Sequence, residues 1–124
     1  MEAYKTATVL YERWGAMWNG NLDVADEIIS ENFVAHLTAD AMPPPQEIKN
    51  PETVKLWIGK IRSTASSLKY EIIQGPIVQN DIMAVYWQAI AERGDVVVKK
   101  VGVDFLRFSG KKITECWTMN NNAL

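Results

Sequence analysis

Asp104 stands inside Val101-Gly102-Val103-Asp104-Phe105-Leu106-Arg107-Phe108, where every other residue before Arg107 is apolar or glycine. Valine, phenylalanine and leucine at this density predict a strand buried on at least one face. A carboxylate there is costly unless it is paired, hydrogen-bonded or kept neutral by a raised pKa. Two arrangements meet that cost: an acid or base in a pocket, or an Asp at a strand end or on a solvated face paired with a lysine. His36 is the sole histidine, with Val34 sharing its strand parity. A neutral imidazole near pH 7 suits proton abstraction beside a carbonyl, and with a protonated Asp104 it would make a base and oxyanion-donor pair. The plainer reading has His36 anchoring the loop that follows it to a backbone carbonyl. Trp14, Trp18, Trp57, Trp87 and Trp117 are many for so small a core, so some are expected to wall an apolar cavity.

Composition narrows the field. A chain of 124 residues is expected to form one domain, residues 1–124, burying roughly two-thirds of its unfolded surface. No window reaches the ~18 apolar residues of a membrane span, and Met1-Glu2-Ala3-Tyr4-Lys5 is too polar for a signal peptide. One cysteine, Cys116, excludes an internal disulfide and fits a reducing compartment, so the expected location is cytoplasmic. Thirteen basic against fifteen acidic side chains leave no nucleic-acid footprint, and one His with one Cys gives no basis for a metal site. No cofactor and no membrane partner are expected.

The elements that must position these residues follow from periodicity. Ala3, Ala7, Leu10, Trp14 and Met17 recur at three- and four-residue spacing, predicting a helix over Glu2–Trp18 that ends at Asn19-Gly20-Asn21. A short helix is expected from Asp23 to Ile29, then a brief extended segment over Phe33–His36. Asp40 to Gln46, with Pro43-Pro44-Pro45, reads as a stiff loop. Asn50-Pro51-Glu52 opens a third helix whose apolar face is Val54, Trp57, Ile58, Ile61 and Ala65. After Leu68 the period becomes two. Strands are expected over Lys69–Ile73, Ile77–Asn80, Ile82–Glu92, Val96–Phe108 and Lys112–Asn120, with Gly75-Pro76 as a break and Arg93-Gly94-Asp95 and Ser109-Gly110-Lys111 as turns. Helices followed by an antiparallel meander predict an α+β fold, helices on one face of a curved sheet.

A two-residue Gly94-Asp95 loop puts Asp104, Gly102 and Leu106 on one face with Val85, Trp87 and Ala89. Gly102 then removes a side chain beside Trp87, opening a cleft or allowing a bend. The last hairpin stays open: a two-residue loop brings Glu115 and Trp117 to Asp104's face, whereas a three-residue loop brings Cys116 there and sets Arg107 with Glu115 opposite.

Two blocks of the chain resemble a known family. Trp14 to His36 (WGAMWNGNLDVADEIISENFVAH) is similar to the opening of SnoaL-like polyketide cyclases, and Gly102 to Trp117 (GVDFLRFSGKKITECW) resembles their closing hairpin. The resemblance implies the cone-shaped fold of the nuclear transport factor 2-like superfamily: a curved antiparallel sheet with three N-terminal helices on its concave face, a pocket between them, and homodimers. Asp104-Phe105-Leu106-Arg107-Phe108 also resembles the strand of ketosteroid isomerases that begins with the oxyanion-hole Asp, a carboxyl held neutral by its apolar site. Tyr11 is an offset candidate for the isomerase's helix-1 tyrosine. Both resemblances imply proton chemistry on a carbonyl compound for Asp104. The chain departs from the cyclases in two places: Gln88-Ala89-Ile90-Ala91-Glu92 stands where they often carry Thr-His-x-Gly, and Glu115-Cys116-Trp117-Thr118 where they usually read Glu-His-Trp-Asp.

Two functions are consistent with these residues. One is a cofactor-free isomerase or aldol-type cyclase for an enolisable apolar ring carbonyl compound, with Asp104 and His36 as acid/base groups and Tyr11, Trp14, Trp18, Trp57, Trp87 and Trp117 around the ligand. The other is a catalytically silent ligand-binding or dimerisation domain. A homodimer through the outward face of the meander is expected in either case, because both long strands are apolar at both parities.

Overall fold

The computed structural model describes residues 2–37 and 43–122. Helix α1 (Glu2–Trp18) buries Ala7, Leu10, Tyr11, Trp14 and Met17, the residues of one helical face. Ala3, expected on that face, is exposed, and Tyr11 belongs to it instead. The helix ends where Gly20 turns to a φ of 116°, a conformation a side chain rarely adopts. The Asn19 amide then reaches across to the sheet, donating to the Tyr70 carbonyl at 2.9 Å and accepting from the Tyr70 N–H at 2.8 Å. That pair of bonds between a helix end and a strand fixes the backbone of Tyr70.

Helix α2 (Val24–Ile28) is shorter than expected, and Ile29 already begins strand β1 (Ile29–Leu37). Helix α3 (Pro51–Ser63) starts at a capping box: the Asn50 side chain accepts from the Thr53 N–H at 2.9 Å and Thr53 Oγ1 accepts from the Asn50 N–H at 3.0 Å. Asp40–Met42, part of the expected proline loop, lie outside the described residues; Pro45–Glu47 form a single 3-10 turn.

The sheet comprises β1, β2 (Ser67–Gln79), β3 (Ile82–Arg93), β4 (Val96–Ser109) and β5 (Lys112–Asn122), in the order β1-β5-β4-β3-β2. It is not wholly antiparallel, as expected from the meander: β1 runs parallel to β5. The separate strands expected on either side of Gly75-Pro76 are one strand, β2, whose register with β3 shifts between Ile72 and Gln74 and again before Ile77. The helices cover one face of this curved sheet, and the core lies between. Among the described residues no helix is long and apolar enough to cross a membrane.

Candidate functional site

Strands β3 and β4 pair through the two-residue turn, Arg93 opposite Val96, so Asp104 faces Val85 and Gly102 faces Trp87. The glycine is required. A Cβ built on Gly102 would collide with the Trp87 indole, which lies against the backbone there. Between β4 and β5 the register is a composite of the two expected ones. Ser109 pairs with Lys112 and Phe108 with Ile113, as a two-residue loop demands, but a bulge then shifts the ladder so that Arg107 meets Glu115. Beyond the bulge Leu106 meets Cys116 and Asp104 meets Thr118. Cys116 and Thr118 therefore face inward, and Glu115 and Trp117 outward.

Asp104 is only 3% exposed. Thr118 Oγ1 donates to its Oδ1 at 2.9 Å and Tyr70 Oη donates to its Oδ2 at 3.3 Å. Behind these, Tyr11 Oη lies 2.6 Å from Tyr70 Oη, and Cys116 Sγ lies 3.0 Å from Thr118 Oγ1. If Tyr11 and Cys116 donate, every proton of the chain points towards the carboxylate. Burial raises the Asp104 pKa to about 6, opposed by the Trp87, Thr118, Trp14 and Tyr70 donors. The Trp14 and Trp87 N–H groups are themselves buried and complete no hydrogen bond of standard geometry. Burial also lifts Tyr11, Tyr70 and Cys116, so the phenols and the thiol keep their protons. A carboxyl raised to about 6 exchanges its proton close to neutral pH, so this site can both accept a proton and return one.

Asp104, Tyr70 and Thr118 line a cavity of about 420 Å³ between α1, α3 and the sheet. Its walls are aromatic. Trp18 meets Trp57 edge-on at 5.1 Å between centroids and stacks on Tyr70 at 6.1 Å, and Tyr70 packs against Trp87 at 5.4 Å. Trp14, Trp18, Trp57 and Trp87, expected around a ligand, all line this cavity. Tyr11 does not; it is fully buried behind Tyr70.

His36 and Trp117 lie elsewhere. His36 pairs with Trp117 across the β1–β5 ladder, and Trp117 is on the face opposite Cys116 and Thr118. The imidazole stacks on the indole at 5.0 Å, its Nε2 lies 2.7 Å from Glu115 Oε2, and the Arg107 guanidinium covers the same indole at 5.6 Å. The expected pairing of His36 with Asp104 in one cavity is therefore not formed: strand alternation carries the two to opposite faces. The plainer expectation, a tether from His36 to the start of the proline loop, falls on residues outside the described ones; among the described residues the Glu115 carboxylate is the partner of Nε2.

Sequence reasoning missed Tyr70 and Thr118. Tyr70 sits between Lys69 and Glu71 in a period-two strand, the pattern of an inward residue. Thr118 could be placed only by the bulge, which no single residue announces. Among the described residues no group of three or more His, Cys, Asp or Glu side chains is placed to hold a metal ion.

Three helices over a curved five-stranded sheet, with an aromatic-walled cavity between them, give the chain the nuclear transport factor 2-like fold. The sequence profile of the SnoaL-like domain matches residues 10–116, and the chain belongs to that family. No curated protein sequence matches it. Solved structures share the fold at low identity. Bal32a, from a soil-derived mobile gene cassette, superposes with a TM-score of 0.80 at 15% identity, covering 95% of this chain and 91% of its own. A candidate polyketide cyclase from Acidithiobacillus ferrooxidans gives 0.79 at 16% identity, covering 94% and 88%. IdmH, a candidate polyketide cyclase from Streptomyces antibioticus, gives 0.76 at 17% identity, covering 92% and 91%.

Proposed function

We propose that this protein is a cofactor-free isomerase or aldol-type cyclase acting on an enolisable apolar ring carbonyl compound, with Asp104 as its acid/base group. The observation that carries this reading is the environment of Asp104: a buried carboxylate, raised to about 6, on the wall of a tryptophan-lined cavity. The indole faces of Trp18, Trp57 and Trp87 hold the ring. Asp104 takes a proton from the carbon beside the carbonyl, and the electron pair moves onto the carbonyl oxygen as an enolate. In isomerisation the protonated Asp104 returns that proton to another carbon. In cyclisation the enolate carbon attacks a second carbonyl, and Asp104 protonates the new alkoxide. With His36 on the other face, a single carboxylate performs both transfers. The reading extends to a homodimer through the outer sheet face, where Val34, Tyr86, Val103, Phe105 and Met119 are exposed together.

Deuterium uptake at the α-carbon of 1-tetralone, followed by proton NMR in D2O, tests the reaction. Wild type should exceed Asp104→Asn, with a rate that rises with pH through about 6 and then levels. Equal rates for the two proteins would refute proton abstraction by Asp104. A second reading, ligand binding without turnover, is favoured by the cavity's lining, which among the described residues has Asp104 as its one carboxylate and no histidine. Binding of 2-naphthol with no catalysed exchange would select it.

A further inference from the structure

The exposed lining of the cavity differs in kind from the buried lining. The buried lining is aromatic apart from Ala91, Asp104 and the threonine bonded to Asp104. Exposed ones include three cations, Lys60, Arg93 and Lys100, contributed by α3, β3 and β4. Arg93 Nη2 donates to Thr64 Oγ1 at 3.1 Å, which holds the guanidinium back towards α3, and Lys60 lies one turn before Thr64 on the same helix face. Among the described residues none of the three makes an ion pair with a carboxylate. The chain as a whole carries a net charge of −2, so this local excess of positive charge runs against its average.

We propose that the substrate is a ring carbonyl compound bearing an anionic group, such as a carboxylate, at the end remote from the reacting carbonyl. This rests on the reading given under Proposed function and adds the substrate's charge to it. Lys100 lies four residues from Asp104 on the same strand and the same face, so their Cα atoms are separated by ~13 Å at the rise of an extended strand. A two-ring scaffold with its α-carbon at Asp104 and its anion at the mouth bridges that span once the lysine side chain reaches inward. A neutral ring compound has no use for three cations that make no ion pair among the described residues, and whose alkyl stems alone could cover the apolar wall. An anion would be drawn to the mouth and oriented there, leaving the apolar end to enter first and meet the carboxylate.

Isothermal titration calorimetry on the purified protein with three probes tests this: 2-naphthol, 6-hydroxy-2-naphthoate and its methyl ester. The naphthoate has its phenol and carboxylate at opposite ends of the ring system, and the ester keeps the shape without the charge. In about 20 mM salt the acid should bind roughly five- to tenfold tighter than the ester, and in about 500 mM salt the preference should largely vanish. Lys60→Gln/Arg93→Gln/Lys100→Gln should remove the preference while leaving the affinity for 2-naphthol unchanged; Lys100→Gln alone should reduce it. If 2-naphthol binds and wild type takes acid and ester equally, the anionic substrate is overturned while the enolisation reading stands. If no probe binds, both readings fall.

Discussion

Replacing Asp104 by asparagine should stabilise the fold near neutral pH, and the size of the gain follows from the pKa. Ionising Asp104 in the folded chain requires about pH 6, against 3.8 for a free side chain. At 1.36 kcal/mol per unit, a carboxylate held ionised in this site costs the fold on the order of 3 kcal/mol. A raised acid works against stability as pH increases: below 3.8 folded and unfolded chains are both protonated, and the penalty grows until the folded value of about 6 is passed. Asparagine removes that penalty without emptying the site. Its Oδ1 can accept from Tyr70, and its Nδ2 can donate to Thr118, whose hydroxyl then turns towards the Cys116 sulfur, a weak donor that loses little by the reversal. All other ionisable groups are common to both proteins and cancel in the difference. The stability of Asp104→Asn relative to wild type, from urea unfolding, should therefore rise by about 2 kcal/mol between pH 4.5 and pH 7.5, the part of the linkage curve that lies in this window. Parallel stability profiles over that range would refute the buried, raised carboxylate.

Removing a donor should push the same titration further up. Thr118→Val, which deletes the 2.9 Å bond to Oδ1, should raise the Asp104 pKa in a carbon-13 NMR titration and lower stability by about 1 kcal/mol; an unchanged or lower pKa would show that the hydroxyl does not stabilise the charge. Gly102→Val drives its side chain into Trp87, and should lower stability by about 1–3 kcal/mol and weaken 2-naphthol binding, measured by urea unfolding and tryptophan fluorescence. The outer face should assemble. Sedimentation at tens of micromolar should give a dimer for wild type and a monomer for Phe105→Asp, since Phe105 is about half exposed at the centre of the apolar patch; a monomeric wild type would refute the assembly.

The parts of this fold legible in the sequence are those set by local chemistry. Asn50-Pro51 with Thr53 specifies a helix start, Gly20 a helix end, and Gly94-Asp95 a two-residue turn that fixes every partner between β3 and β4, including Gly102 beneath Trp87. What was not legible depends on pairings between distant segments. The parallel contact of β1 with β5 leaves no periodic mark on either strand. It nonetheless decides the fate of His36, because pairing with Trp117 carries the imidazole to the outer face. The bulge after Arg107 likewise gives no local signal, yet it brings Thr118 rather than Trp117 to Asp104.

That one-residue shift has a chemical consequence. Without it, Glu115 and Trp117 would face the cavity, placing a second carboxylate near Asp104 and raising the cost of ionising either. With it, Glu115 goes to Arg107 and His36 on the outside, where water and a guanidinium carry its charge. Cys116 takes its inward place, and Thr118 arrives opposite Asp104 instead of Trp117, with a hydroxyl that donates to the carboxylate and favours its ionised form. Tyr70, fixed by the Asn19 amide, adds a second donor from the opposite side. Desolvation by the surrounding core alone would leave a neutral acid; two hydroxyls and two nearby indole N–H groups bring it back to about 6. A group at that value is ionised often enough near neutral pH to accept a proton and is basic enough to hold it until the product takes it back. The proposed single-carboxylate mechanism needs that balance, because among the described residues no second carboxylate or imidazole lines the cavity to share the work.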